Sequence, residues 1–123
     1  EKGDESMRTV DLIAKRFGIE TYAVQNPLVD QVGTTPTRVL GNNPGRLGWT
    51  IVNLSANSVY VALDRTVSST HGVLLTPNGG SASMTMDEDF EGCCWEVFGI
   101  ASGAGSDIWV LEILISKEAQ ERV

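Results

Sequence analysis

The chain has 123 residues, enough for one domain with its own core and without metal or disulfide support. An apolar fraction of 41% and a charged fraction of 20% lie near globular averages and exclude disorder throughout. Sixteen acids against nine scattered bases give a formal charge of −7, without the basic patch that a nucleic-acid binder uses to neutralise phosphates.

Residues 7–17 read as an amphipathic helix. Val10, Ile13, Ala14 and Phe17 recur at i, i+3, i+4 and i+7 and form one apolar stripe. Ser6 can cap the start, Asp11 and Lys15 form an i,i+4 pair, and Gly18 suits the left-handed position after the last turn. Met7 offers a native start after residues 1–6, and no signal peptide is visible.

The apolar period then changes from 3.6 to 2. Ile19–Gln25 reads as a first strand. Residues 26–35, with Pro27, Asp30 and Gly33, read as a linker, so residues 1–35 are expected to be a helix and an extended arm leading to the main domain. The body, residues 36–116, begins with a short strand at Thr37–Leu40 and a turn at Asn42-Asn43-Pro44-Gly45. Leu47–Leu54 and the run from Val59 to Leu63 are expected to pair as a hairpin across residues 55–58. Further strands are expected at 72–76, 81–86, 93–100 and 108–115, separated by turns at Thr76-Pro77-Asn78-Gly79, 87–92 and 101–106. Residues 117–123 read as a charged tail. Turns every 8–12 residues, with no long helix between strands, predict an all-β fold: an antiparallel, jelly-roll-like sandwich of about eight strands.

The last strand has apolar residues on both faces. Trp109, Leu111, Ile113 and Ile115 make one face; Ile108, Val110 and Leu114 make the other, broken only by Glu112. A two-layer sandwich buries one face of each sheet, so the second must be covered by the N-terminal helix or by another subunit. Val10, Ile13, Phe17, Ile108, Val110 and Leu114 are accordingly the interface candidates.

The residues that carry chemistry are few. His71, in Ser68-Ser69-Thr70-His71-Gly72, is the sole histidine; it lacks the companions of a catalytic triad, and one histidine cannot build a cupin-type metal site. Two adjacent thiols, Cys93 and Cys94, cannot make a zinc tetrad and are expected to lie on opposite faces of a strand. Asp87, Asp89 and Glu91 are the candidates for calcium because clustered carboxylates suit a hard cation, but the run does not fit an EF-hand loop and reads by default as a solvated turn. Trp49, Trp95 and Trp109 lie in apolar strand patterns and read as core. No cofactor is expected, and no run approaches the ~18 apolar residues that span a membrane.

Three stretches carry a resemblance: Arg46-Leu47-Gly48-Trp49-Thr50-Ile51-Val52-Asn53-Leu54-Ser55, Val59-Tyr60-Val61-Ala62-Leu63-Asp64, and Gly72-Val73-Leu74-Leu75-Thr76-Pro77-Asn78-Gly79-Gly80. This middle third resembles small virion proteins of tailed viruses, of the head-decoration and fibre-base type. The resemblance implies a β-sandwich that assembles into trimers, pentamers or fibres, works in the virion with other capsid proteins as partners, and has no catalytic residues. The expected function is therefore a non-enzymatic structural component of a virus particle. A carbohydrate- or receptor-binding sandwich is the alternative, and a jelly-roll enzyme ranks last.

Overall fold

The structure, a computed structural model, describes residues 20–115. Val10, Ile13 and Phe17 lie outside them, as does the charged tail. Among the described residues nine strands form two antiparallel sheets: β1 Thr21–Gln25, β2 Gln31–Val32, β3 Thr37–Leu40, β4 Arg46–Asn53, β5 Val59–Ala62, β6 Val73–Leu75, β7 Ser81–Thr85, β8 Val97–Ala101 and β9 Ser106–Ile115. One sheet has the order β1-β9-β4-β7, with β2 also on β9; the other has the order β3-β8-β5-β6. From β2 onward the chain changes sheet at every connection but β5–β6, which is the winding of a jelly roll. The chain is thus an all-β sandwich, as the alternating pattern predicts.

Strands β1 and β2 act as one interrupted edge strand. Thr21 to Gln25 pair with Ile115 to Leu111, and Gln31 and Val32 pair with Asp107 and Ser106. Between them, Asn26 and Asp30 keep the ladder with β9 going: Asn26 N–H donates to Val110 O at 2.8 Å, Val110 N–H to Asn26 Oδ1 at 2.8 Å, and Ile108 N–H to Asp30 O at 3.0 Å. The expected linker therefore belongs to the sheet. Its backbone groups find partners on β9, and Val32 reaches the core at 1% exposure.

Two local expectations are corrected. First, β4 and β5 do not form a hairpin; they lie in opposite sheets. Asn53 turns the chain between them. Its buried amide Nδ2 donates to Asn57 O, Leu75 O and Thr76 O at 2.7, 3.0 and 3.2 Å, and its Oδ1 accepts from Ser55 N–H and Oγ. The bonds to Ser55 and Asn57 are local, whereas those to the Leu75 and Thr76 carbonyls form because the chain arches over to the opposite sheet. The second wall of the arch is the turn Thr76–Gly80, where Asn78 adopts φ +61° and a Cβ on Gly80 would lie 2.2 Å from Thr76 N.

Second, the predicted strand 93–100 begins only at Val97. Met86–Asp89 is a one-turn helix, α1, capped by Thr85, and Phe90–Cys94 is a 3-10 turn. Cys93 and Cys94 therefore do not project to opposite sides. Their Sγ atoms are 4.0 Å apart, and both thiols donate to Arg46 O.

The core is the seam between the sheets, where Leu40, Ile51, Val59, Leu75, Ile108 and Val110 are among the fully enclosed side chains. Each such residue contributes roughly 1.5–3 kcal/mol relative to exposure.

Candidate interaction surface

The motif residues that carry the resemblance serve the scaffold. Arg46 points inward at the start of β4 with 3% exposure. Its Nε donates to Glu112 Oε2 at 2.6 Å, its Nη1 to Trp95 O at 3.2 Å and its Nη2 to Gly41 O at 2.7 Å. Glu112 is the one acid in the apolar run of β9, and this guanidinium is what lets it be buried. The network ties β4 and β9 to the segments before β8 and after β3, so it joins the two sheets at one end. Asn53, at the other end of β4, does the same through the arch. These residues hold the two sheets together at both ends of β4.

The candidate chemistry does not converge. Asp89 Oδ2 accepts from Thr85 N–H at 2.9 Å, which places it at the end of β7 rather than in a shared cage with Asp87 and Glu91. Among the described residues no three His, Cys, Asp or Glu side chains are grouped to hold a metal ion. The calcium candidates Asp87, Asp89 and Glu91 are thus acids on consecutive short turns, with Asp87 and Glu91 exposed and Asp89 half-buried on the Thr85 amide. His71 Nε2 lies 3.4 Å from Asp64 Oδ1 on an exposed loop, and the Ser68 and Thr70 hydroxyls bond each other rather than the imidazole. Hydrogen bonds from the Thr66 hydroxyl and amide hold the Asp64 carboxyl below its usual value. Burial pushes the Cys93 thiol up to about 11, helped by its neighbour Cys94. Cys93 is therefore a poor nucleophile at neutral pH.

The interface candidates on β9 are also corrected. Ile108, Val110 and Leu114 are 2%, 0% and 4% exposed within the chain alone, because they face the opposite sheet and form its core. The surplus apolar surface is the opposite face of the same strand. There Trp109, Leu111 and Ile113 stay partly exposed, flanked by Val52 and Thr50 of β4 and by Ala23 and Gln25 of β1. Trp109 Nε1 donates to Gln25 Oε1 at 3.0 Å. The three tryptophans fare differently: Trp49 is buried, Trp109 lies on this outer face, and Trp95, displaced from a strand by the 3-10 turn, is 47% exposed. Phe98 is the converse case. It lies on the outside of its sheet yet is covered, with the guanidinium groups of Arg65 and Arg38 at 5.0 and 5.8 Å from its ring.

The second surface is the lateral edge where β6 and β7 end their sheets. They are joined at one end by the Thr76–Gly80 turn and diverge beyond it, leaving an apolar groove of about 200 Å³ that opens toward the core. Trp49 and Val61 line its floor; Leu63 and Val73, 37% and 56% exposed, and Ala82 and Met84 line its sides. Trp49 Nε1, buried, has no hydrogen-bond partner among the described residues. Sequence reasoning missed this groove, since no single strand encodes a gap between two edges.

Compared with known proteins, the chain matches no family model, no curated protein and no solved structure.

Proposed function

We propose that this chain is a non-enzymatic structural protein of a virus particle, a capsid-decoration, cement or fibre-base component, that works by associating with copies of itself and with other virion proteins. The observation that carries the reading is surplus apolar surface on a finished sandwich. The inner face of β9 completes the core, and its outer face still presents Trp109, Leu111 and Ile113, while the β6/β7 edge presents Val73 and Leu63. Contiguous apolar surface of this kind marks association sites. Jelly-roll sandwiches recur among viral capsid proteins, lectins and cupins, so the fold by itself does not choose. The motif resemblance in residues 46–80 favours the first, and the lone exposed His71 disfavours the third.

Light scattering across a concentration series tests the reading. A stable oligomer of defined mass is expected. A strictly monomeric chain at high concentration would overturn it, and glycan-array binding with tryptophan quenching would move the chain to the carbohydrate-binding alternative.

A further inference from the structure

We propose that β7 is a self-pairing edge: two copies of the chain join antiparallel along Ser81–Thr85, extending one sheet across a two-fold axis at Ser83 and closing the two grooves against each other. The proposal deepens the self-association reading above and rests on it.

The free edge of β7 is well defined. Thr85 N–H turns away from β4 to reach Asp89, while Asn53 N–H bonds Gly80 O, so even-numbered residues of β7 face β4 and odd-numbered ones face outward. Among the described residues nothing partners the outward N–H and C=O groups of Ser81 and Ser83. Exposed edges are usually blunted by charge, proline or a bulge. The sequence Ser-Ala-Ser-Met-Thr has none of these, and its pairing with β4 is in unbroken register; the Asp89 carboxylate covers the edge only at its Thr85 end and leaves Ser81 and Ser83 open.

Antiparallel pairing about Ser83 is self-complementary. Ser83 meets Ser83, Ser81 meets Thr85, and Ala82 meets Met84. Hydroxyl residues then lie together on the solvent face, where such cross-strand pairs are favourable. On the groove face a small side chain sits opposite a large one. The outward groups supply two backbone hydrogen bonds exchanged between the two Ser83 residues at the axis; Thr85, whose N–H bonds Asp89 and whose carbonyl begins the following helical turn, ends the ladder on each side. The exposed Val73 and Leu63 at the groove rim are brought against the partner's copies.

Charge selects the orientation. Asp87, Glu88 and Asp89 follow β7 directly. Parallel pairing would stack the two acidic turns. Antiparallel pairing places each beside the partner's uncharged Asn78-Gly79-Gly80 turn and separates the acidic turns by about 20 Å along the strand, at ~3.4 Å per residue, well beyond a Debye length of about 8 Å.

The test is the mass in solution of full-length Ser83→Pro, which removes the central N–H on the solvent side of an edge strand, where proline is tolerated. The dimer dissociation constant should rise roughly a hundredfold with an unchanged circular dichroism spectrum. Ser83→Lys, which sets two ammonium groups face to face, keeps the test decisive if the proline variant misfolds; it should dissociate the dimer, less so at high salt. Ser83→Cys treated with a short bifunctional maleimide should give a cross-linked dimer absent from the unsubstituted chain. A folded variant that keeps the wild-type oligomeric mass would overturn the β7 contact while leaving self-association standing. A monomeric unsubstituted chain would sink both.

Discussion

The two lateral halves of this sandwich are built on opposite terms. In the half where β9 and β4 face β3 and β8, the gap between the sheets is spanned: Arg46 reaches Glu112 on one side and the carbonyls of Gly41 and Trp95 on the other, and Val32 and Val39 close over Gly99. In the half where β7 faces β6, the sheets are joined at one end, by the Thr76–Gly80 turn and by Asn53 reaching Leu75 O, and beyond that end a groove runs between them. The two lateral edges therefore differ in closure: one is cross-linked by buried polar groups, and the other leaves apolar side chains at an open groove. Arg46 and Glu112 are buried in the closed half, whereas Val73 and Leu63 stay exposed at the rim of the open one.

Breaking the closed half should cost most. Arg46→Ala leaves the Glu112 carboxylate buried without its cation and should lower stability by about 3–5 kcal/mol in chemical denaturation. The paired change Arg46→Met with Glu112→Leu removes both charges and should recover much of that loss. Asn53→Ala takes the shared donor from three carbonyls at the arch and should cost about 2–3 kcal/mol, read in the same way. An intermediate effect is set by pH. Because the folded state holds the Cys93 thiol near 11 against an ordinary 9.0, folding favours the protonated form. That contribution is complete below about pH 9 and disappears as pH rises through about 11. Cys93→Ala should flatten this alkaline slope in a series of thermal melts.

The smallest pair of changes contrasts the halves most directly. Gly99→Ala would bring a Cβ to 3.1 Å from Val39 Cγ2 and should destabilise by about 1 kcal/mol, as overpacking does. Ala82→Ile, adding bulk in the open groove, should stabilise by about 1 kcal/mol, as cavity filling does. Both are measured at a protein concentration low enough to keep chains apart. Equal and opposite signs would sharpen the contrast; destabilisation by both would show the groove to be as tightly packed as the closed half.

Much of the architecture was legible along the chain because strand propensity and alternation are local. Thr37–Leu40 coincides with β3, and β4, β7 and β9 lie within two residues of their expected limits. Local signals were misleading where a residue's role depends on a distant partner. Asn57 marks a tight turn in any hairpin, but the amide of Asn53, in phase with Trp49 and Ile51, needs the carbonyls of Leu75 and Thr76, more than twenty residues away. Trp95 sits in an apolar pattern, yet hydrogen bonds from Arg46 to the backbone of Cys93 and Trp95 hold that segment as a turn. The site was less legible than the fold. The two-faced apolar pattern of β9 announced a surplus surface, and Glu112, alone in that run, was a signal that its own face turned inward to a buried base. Reading that signal would have moved the interface candidates from Ile108, Val110 and Leu114 to Trp109, Leu111 and Ile113.

By itself, then, the order of residues determined which segments extend, where they turn and that more apolar surface exists than one seam can use, since these follow from side-chain periodicity and local backbone preference. Only the tertiary structure decided which strands are neighbours, which face of β9 points inward and where the sandwich stands open. Those outcomes depend on satisfying buried polar groups such as Arg46, Asn53 and Glu112 across long stretches of chain, and a partner for each exists only once the two sheets have come together.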